Sequence, residues 1–361
     1  MYQVFAENET IDFNILENKR MLKSLISEEI IDFMSNYVSF TDESTVFLET
    51  ASKFNIDSLK RKNISEFINL KRINDIKFLN KFFQSVNFKM QKGGVFICCA
   101  ETIAQRQKRI LKKYPKIISY PYYVMDFILK RVFPKTRLTM AINSVLTSGR
   151  NRALSLAEIL GRLISCGFEI VEYKEFYPLT VFAVKKVKLP IENIHPSYGL
   201  LFKMRRIGQN GKEVFVYKIR TMHPYAEFLQ EYIFKTNNLQ DGGKLKNDFR
   251  ITAWGRFLRK TWLDELPMLF NWIKRDLKLV GVRPISQHYL SLYRKDLIEK
   301  RLKVKPGLVP PFYADLPKTL DEIMDSEERY LDSYEKSPIK TDIKYFFKAA
   351  NNILIKNARS S

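Results

Sequence analysis

With 361 residues, 45% of them hydrophobic, the chain is long enough for two cored domains and too apolar to be disordered. Its three cysteines, Cys98, Cys99 and Cys166, are too few and too badly placed for a disulfide framework or a zinc site, and read as buried thiols. The net charge of +22 is uneven: residues 1–50 hold ten acidic and three basic side chains, leaving +29 on the remainder. A basic body of that size suits nucleic acid, anionic lipid headgroups or nucleotide phosphates, although charge alone also fits a generally basic, soluble surface.

The sequence MYQVFAENETIDFNIL lacks the basic start and apolar run of a secretory signal, and no window supplies the ~18 apolar residues of a membrane-spanning helix. The nearest, Tyr120 to Phe133, is interrupted by Asp126, Lys130 and Arg131. Patterning predicts a helix over Asn18 to Tyr37 and a short strand over Thr45 to Glu49. Ile64, Phe67, Ile68, Ile73, Ile76, Leu79 and Phe83 lie near helical spacing and predict one long amphipathic helix from Ile64 to Val86. Gly93-Gly94 is expected to turn the chain into a buried strand, Val95 to Ala100. There follow a basic helix (Ala104 to Lys113), a Pro/Tyr-rich segment, and a helix from Ser155 to Cys166 closed by Gly167. Two strands, Phe168 to Tyr173 and Thr180 to Val187, turn around Pro178. The succession of helix, Gly-Phe-headed strand and closing strand over Lys71 to Lys188 resembles the tail of a class I methyltransferase-like fold. That resemblance implies a partial Rossmann-like α/β domain. Residues 1–92 contain no glycine, however, so the Gly-rich turn that admits such a cofactor is missing and a scaffold without cofactor is expected.

Leu189 to Gly199, with two prolines and a glycine, marks a seam that divides the chain into domains 1–190 and 191–361. Beyond it, Phe202 to Met222 alternates as a β-hairpin turning at Asn210-Gly211, and Lys218, Arg220 and Thr221 end its second strand. The stretch Trp254 to Pro284 sets the adjacent carboxylates Asp264 and Glu265 among Arg256, Arg259 and Arg283. Pro267 suits the first turn of a helix, which predicts Asp264 at its N-cap, where a carboxylate stays ionised and a phosphate is welcome. Leu266, Leu269, Phe270 and Ile273 form the face expected in the core. Arg283 falls in a tight turn and Lys305-Pro-Gly307 makes another. Anion-binding arginines beside a metal-competent acid pair suggest phosphoryl chemistry. Taken singly, Asp264 also fits a helix cap, Glu265 a dipole partner, and the arginines surface or salt-bridging groups. The tail from Leu316 to Ser361 is expected to be helical, acidic over Asp321 to Glu335. Its basic amphipathic stretch, Ile343 to Lys356, suits either a membrane surface or packing on the core. His195, His223 and His288 lie far apart, with no metal or triad spacing.

Arg206, Gly208 and Gly211, then Lys218-Ile-Arg-Thr-Met222, Gly255 to Leu269, Leu279 to Pro284 and Lys305-Pro-Gly307 occur in this order over Leu201 to Leu308. Together they resemble the bacterial sugar transferase family, the polyprenyl-phosphate phosphoglycosyl transferases that begin exopolysaccharide and surface-glycan assembly. Five motifs in sequence are highly specific. The resemblance implies a helix-rich α+β catalytic domain with a small hairpin, and an enzyme in which Asp264 attacks a UDP-sugar, releases UMP, and passes the phosphosugar to a polyprenyl phosphate. It further implies that Glu265 helps hold Mg²⁺, that Arg259 and Arg283 clamp phosphate, and that Lys218, Arg220 and Arg256 line the same anionic pocket. The chain departs from the family at Trp262, Val282 and Pro310-Pro311, and Ile194 to Phe202 lacks the hydrophobic membrane segment that precedes the hairpin. The expectation is a cytoplasmic protein, peripheral at the inner face of the cell membrane. It would be held by anionic lipid with help from Trp254, Trp262, Phe312 and Tyr313, or by a membrane partner protein; a soluble acceptor is a third option. The alternative is a catalytically inactive relative acting as an adaptor, against which the intact acid pair speaks. No nucleic-acid motif is present, so no nucleic-acid partner is expected.

Overall fold

Ile64, Phe67 and Ile68 are buried, but not along a helical stripe: Ile64–Asn69 is a strand flanked by a neighbour on either side. The computed structural model describes residues 27–40, 42, 44–135, 139, 147–191, 199–236, 239–240, 244–245 and 248–355. It is mixed α/β and divides between Pro196 and Ser197 into two compact units.

The first unit is built on a five-stranded sheet of order β1-β2-β3-β5-β4. Strands β1 (Thr45–Leu48), β2 (Ile64–Asn69) and β3 (Met90–Ala100) run parallel, while β4 (Phe168–Phe176) and β5 (Leu179–Lys186) form an antiparallel pair with β5 antiparallel to β3. The helices are α1 (Glu28–Ser35), α2 (Lys53–Asp57), α3 (Leu79–Lys89), α4 (Ile103–Lys113), α5 (Lys116–Phe127) and α6 (Leu156–Ser165). Of the helix expected over Asn18 to Tyr37, α1 is observed, and the part before residue 27 lies outside the described residues. The single helix expected from Ile64 to Val86 is corrected to β2, a 3-10 turn at Ile73–Asp75, and α3. A strand covered on both faces needs consecutive apolar residues, and this run mimicked helical spacing where it joined the true helix. Gly93 and Gly94 lie inside β3 rather than before it. Gly93 has φ +86°, and a Cβ on Gly94 would stand 2.8 Å from the Ser65 carbonyl oxygen, beside a register shift between Ile64 and Glu66. The capping box of Thr102 and Gln105 starts α4, Ser155 caps α6, and Gly167 closes it at φ +88°. All three cysteines are free and buried.

The second unit opens with the hairpin β6 (Leu201–Ile207) and β7 (Glu213–Ile219), turning through Asn210 and Gly211 at positive φ. It continues through α7 (Gln230–Thr236), the two-residue strands β8 (Leu239–Gln240) and β9 (Lys244–Leu245), and α8 (Ala253–Lys260). A 3-10 turn at Leu263–Glu265 leads into α9 (Met268–Ile273), and β10 (Lys278–Val280) later pairs in parallel with β11 (Gly307–Val309). Between and after these come α10 (Gln287–Leu290), α11 (Lys295–Leu302), α12 (Pro311–Asp315), α13 (Leu320–Lys336) and α14 (Pro338–Leu354). Val280, Leu297, Tyr313, Tyr330, Leu331 and Tyr345 share one core. Tyr345, Ala349 and Ile353 of the tail's amphipathic stretch pack into or against that core, and Asn352 donates from Nδ2 to the carbonyls of Tyr313 at 3.0 Å and Ala314 at 2.7 Å, while Ile343, Phe347, Leu354 and Ile355 stay exposed. Among the described residues no helix is long and apolar enough to cross a membrane.

The face of Leu266, Leu269, Phe270 and Ile273 is also corrected: all four are exposed, Ile273 by 70%. Helix α9 is oriented by buried Asn271, which accepts from the Tyr217 N–H at 3.1 Å and donates to the Phe215 carbonyl at 2.7 Å. Satisfying both backbone groups of β7 turns Met268 inward and the longer apolar side chains outward.

Candidate active site

Alternation along the hairpin places Phe202, Met204 and Arg206 of β6 and Val216 and Lys218 of β7 on one face. This face forms one wall of a cavity of about 340 Å³ that is also lined by Arg220, Arg259, Asp264, Glu265, Arg283 and Tyr313. Close backbone contacts bring the remaining elements to it. A Cβ on Gly255 would lie 2.0 Å from the Thr221 carbonyl oxygen, so only glycine lets α8 seat against the end of β7. Thr252 caps α8 by accepting from the Gly255 N–H at 2.8 Å, and its own N–H donates to the Thr221 carbonyl at 3.0 Å. One turn on, Arg259 donates from Nε to Thr221 Oγ1 at 3.0 Å. Gly281 and Gly307 meet back to back: a Cβ on Gly307 would fall 2.2 Å from the Gly281 nitrogen. That approach aligns β10 with β11 and delivers the Val282-Arg283-Pro284 turn to the cavity, where buried Arg301 holds the Arg283 carbonyl at 2.7 Å.

Asp264 sits at the centre. It is not the expected N-cap: it occupies the 3-10 turn after Trp262, whose φ of +63° breaks the chain from α8, and Pro267 takes the N-cap of α9. The carboxylate therefore does not cap α9, and the backbone N–H that acts on it is its own. It is only 5% exposed, and its Oδ1 is buried without a hydrogen-bond partner. Burial pushes Asp264 above the usual carboxylate range; Lys218 and Arg259 pull it back, and Glu265 adds to the rise. Glu265 accepts from Lys218 Nζ at 2.5 Å. Burial, and then the neighbouring charge of Arg283, press the Arg206 guanidinium below its ordinary value, and burial does the same to Arg220 and Arg259. Burial and the close spacing of these cations favour binding of an anion in the cavity.

Of the residues singled out in the sequence, Asp264, Glu265, Lys218, Arg220, Arg259 and Arg283 surround this cavity. Arg256 is corrected: α8 turns Gly255 and Arg259 toward Thr221, and Arg256 is exposed and outside the lining. Of the four aromatics expected on the surface, Trp254 is exposed and stacked on Phe257, whereas Trp262 is half-buried with its ring centroid 4.4 Å from that of buried Tyr313. Phe312 is half-buried as well. Arg206 and Arg250 also line the cavity, and Asn271 holds α9 to β7 beside it, three residues not expected at the site. Arg206 was signalled by its register beside Lys218 on one hairpin face. Arg250, held by both Asp248 oxygens and by Gln230 at 2.7 Å, had no local signal.

An acid pair with one orphaned oxygen suits Mg²⁺, which favours one or two carboxylates together with substrate phosphate. Among the described residues no group of three His, Cys, Asp or Glu side chains forms a metal site, so an ion here would draw its other ligands from phosphate and water.

Comparison with known proteins gives several matches. An undecaprenyl-phosphate galactose phosphotransferase of Salmonella typhimurium is 36% identical over 161 residues, 43% of this chain and 33% of that protein. An uncharacterized sugar transferase of Haemophilus influenzae is 36% identical over 255 residues, 68% of this chain and 50% of that protein. A UDP-glucose:undecaprenyl-phosphate glucose-1-phosphate transferase of Xanthomonas campestris is 34% identical over 111 residues, 30% of this chain and 21% of that protein. The chain thus spans about half the length, or less, of these curated relatives. A solved SAM-dependent methyltransferase from Thermotoga maritima aligns at 14% identity with a TM-score of 0.23 over 36% of this chain and 61% of that one, a score that carries no argument. The bacterial sugar transferase pattern matches residues 168–356, more than half of the chain. The chain belongs to the bacterial sugar transferase family.

Proposed function

We propose that the protein transfers a sugar 1-phosphate from a UDP-sugar to a polyprenyl phosphate through a phosphosugar carried on Asp264, the first step of exopolysaccharide or surface-glycan assembly. The observation that carries this reading is the buried, unpartnered Asp264 Oδ1 in a cavity lined by Lys218, Arg206, Arg259 and Arg283. That oxygen attacks the sugar-linked phosphorus, the P–O bond to the UMP phosphate breaks, and its electron pair leaves with UMP. A polyprenyl phosphate oxygen then attacks the same phosphorus and returns the carboxylate. Arg259 and Arg283 grip phosphate oxygens in forked geometry, while Lys218 keeps Asp264 ionised and orients Glu265. Glu265 would help hold a Mg²⁺ ion, which would supply positive charge to neutralise the diphosphate.

The relatives named as undecaprenyl-phosphate transferases support the lipid acceptor. The exposed apolar surface of α8, α9 and the turn between them, including Trp254, Phe257, Leu266, Phe270 and Ile273, supports work at a bilayer surface or against a membrane partner. We read the first unit as a cofactor-free, partly Rossmann-like scaffold, a reading supported by its three parallel strands. The test is UMP release from a panel of UDP-sugars with Mg²⁺ and a polyprenyl phosphate in detergent, wild type beside Asp264→Asn. UMP from one donor that vanishes in the variant is the expected result. Absence of UMP from every donor with folded protein overturns it.

A further inference from the structure

In the first unit, α5 and the π-helical turn that continues it, Ile128–Val132, sit with their amphipathic sense reversed. The polar residues face the domain: Ser119, Asp126 and Arg131 are buried. Asp126 receives both Nε and Nη2 of buried Arg106, at 2.6 and 2.7 Å, and Arg131 pairs with fully buried Glu158 and donates to the Ala153 carbonyl at 3.0 Å. The apolar residues face outward. Ile117 is 89% exposed, and Ile118, Val124, Met125 and Ile128 are exposed on the same element. A surface helix of a water-soluble domain shows the opposite sense, with its apolar stripe in the core. Turning the helix over would break both buried ion pairs and leave uncompensated charge inside, so Asp126 and Arg131 are held inward and the apolar face outward.

The electrostatics around that face are one-sided. From residue 102 to residue 152 the sequence carries twelve Lys and Arg against a single acid, Asp126, which is turned inward; Arg106, Arg109 and Arg131 are engaged by Asp126, Glu101 and Glu158, so the charge presented beside the helix is that of the exposed lysines. Lys108, Lys112, Lys113 and Lys116 are exposed ahead of and at the start of the helix. Tyr120 and Tyr122 are exposed as well, and Tyr120, Pro121, Val124, Met125, Ile128 and Leu129 line a shallow apolar trough. Apolar side chains flanked by lysines, with tyrosines that carry a polar tip on an apolar ring, match the boundary between acyl chains and anionic headgroups.

We infer that Lys116–Val132 is a membrane-docking element that lies in the plane of an anionic bilayer surface. The apolar side chains enter the headgroup boundary, and the lysines, together with the basic flank, contact lipid phosphates. This supplies the first unit with a surface role that the transferase chemistry does not require and does not depend on it.

The experiment is flotation of the full chain with vesicles of phosphatidylcholine alone and of an equal mixture with phosphatidylglycerol, at low and high salt. Wild type is expected to float with the anionic vesicles, weakly with the neutral ones, and to be released by salt. The double variant Ile118→Asp/Met125→Asp should lose at least about tenfold in vesicle affinity. The triple variant Lys112→Gln/Lys113→Gln/Lys116→Gln should lose roughly fivefold per lysine. All five positions are exposed, so unchanged far-UV circular dichroism and melting are expected. UMP release in detergent should be retained, which separates a failure of docking from a failure of the transferase reading. Three results overturn the proposal: no flotation of wild type, flotation undiminished in both variants, or a self-association of wild type that the double variant abolishes, which would assign the face to a second copy.

Discussion

At the scale of single residues, Asp264 sets a conflict between catalysis and stability. Burial raises its pKa in the folded chain, so the unfolded chain ionises first as pH rises. The cost to stability is therefore absent below the ordinary aspartate range and fully present above the raised folded value. Asp264→Asn is expected to abolish UMP release, roughly 10⁴-fold or more, yet to melt at the same temperature as wild type or higher at neutral pH. The difference in melting temperature should shrink as pH falls through that window, which a series of thermal scans reads directly. Lys218 is the strongest opposing influence on the same carboxylate. Lys218→Met should move the acid limb of the pH–rate profile to higher pH, because Asp264 is the base form lost there. An unmoved limb with a lower plateau would instead give Lys218 a role only in holding Glu265 or phosphate.

At the scale of elements, the motif glycines and Asn271 position the site. Gly255→Ala would drive a Cβ into the Thr221 carbonyl, so α8 must shift and carry Arg259 with it. A loss of about 1–3 kcal/mol in denaturant unfolding is expected, together with reduced UMP release. Asn271→Leu leaves the Tyr217 N–H and the Phe215 carbonyl without partners, which should cost about 1–3 kcal/mol per group and loosen α9 from β7. The hairpin, helices α4 and α6, the strands around Pro178 and the helical tail were legible in the sequence because each carries its own signal: a turn dipeptide, a capping box, a closing glycine, or sustained periodicity. The convergence of Lys218, Arg259, Asp264 and Arg283 on one cavity was legible from motif order. The Ile64–Val86 segment was not, because a strand buried on both faces and the helix after it form one apolar run. Nor was the outward face of α9, since its direction is set by Asn271 reaching another strand, a long-range bond that spacing along the chain cannot encode. The reversed α5 escaped for the same reason: its orientation depends on Arg106 and Glu158, residues 20 and 27 positions away.

At the scale of the whole molecule, chemistry and proposed docking fall on different units. Every residue that lines the candidate cavity lies between Phe202 and Tyr313. The core of Val280, Tyr313, Tyr330 and Tyr345 and the smaller cluster of Val216, Met268 and Leu277 belong wholly to the second unit. The sheet cluster of Phe33, Ile68, Ile97 and Val181 belongs wholly to the first. A unit that owns its core and its site can fold and react by itself. A chain starting at Ser197 is therefore expected to unfold in one cooperative transition and to release UMP in detergent with a KM for the UDP-sugar near that of the full chain. With vesicle-bound polyprenyl phosphate the truncated chain should fall behind, because it keeps the α8–α9 surface but lacks α5 and its lysines. If the truncated chain folds but is inactive even in detergent, the first unit contributes to catalysis and its buried ion pairs position more than a docking helix. If it matches the full chain on vesicles, α5 serves something other than lipid, and the reversed helix needs a different partner.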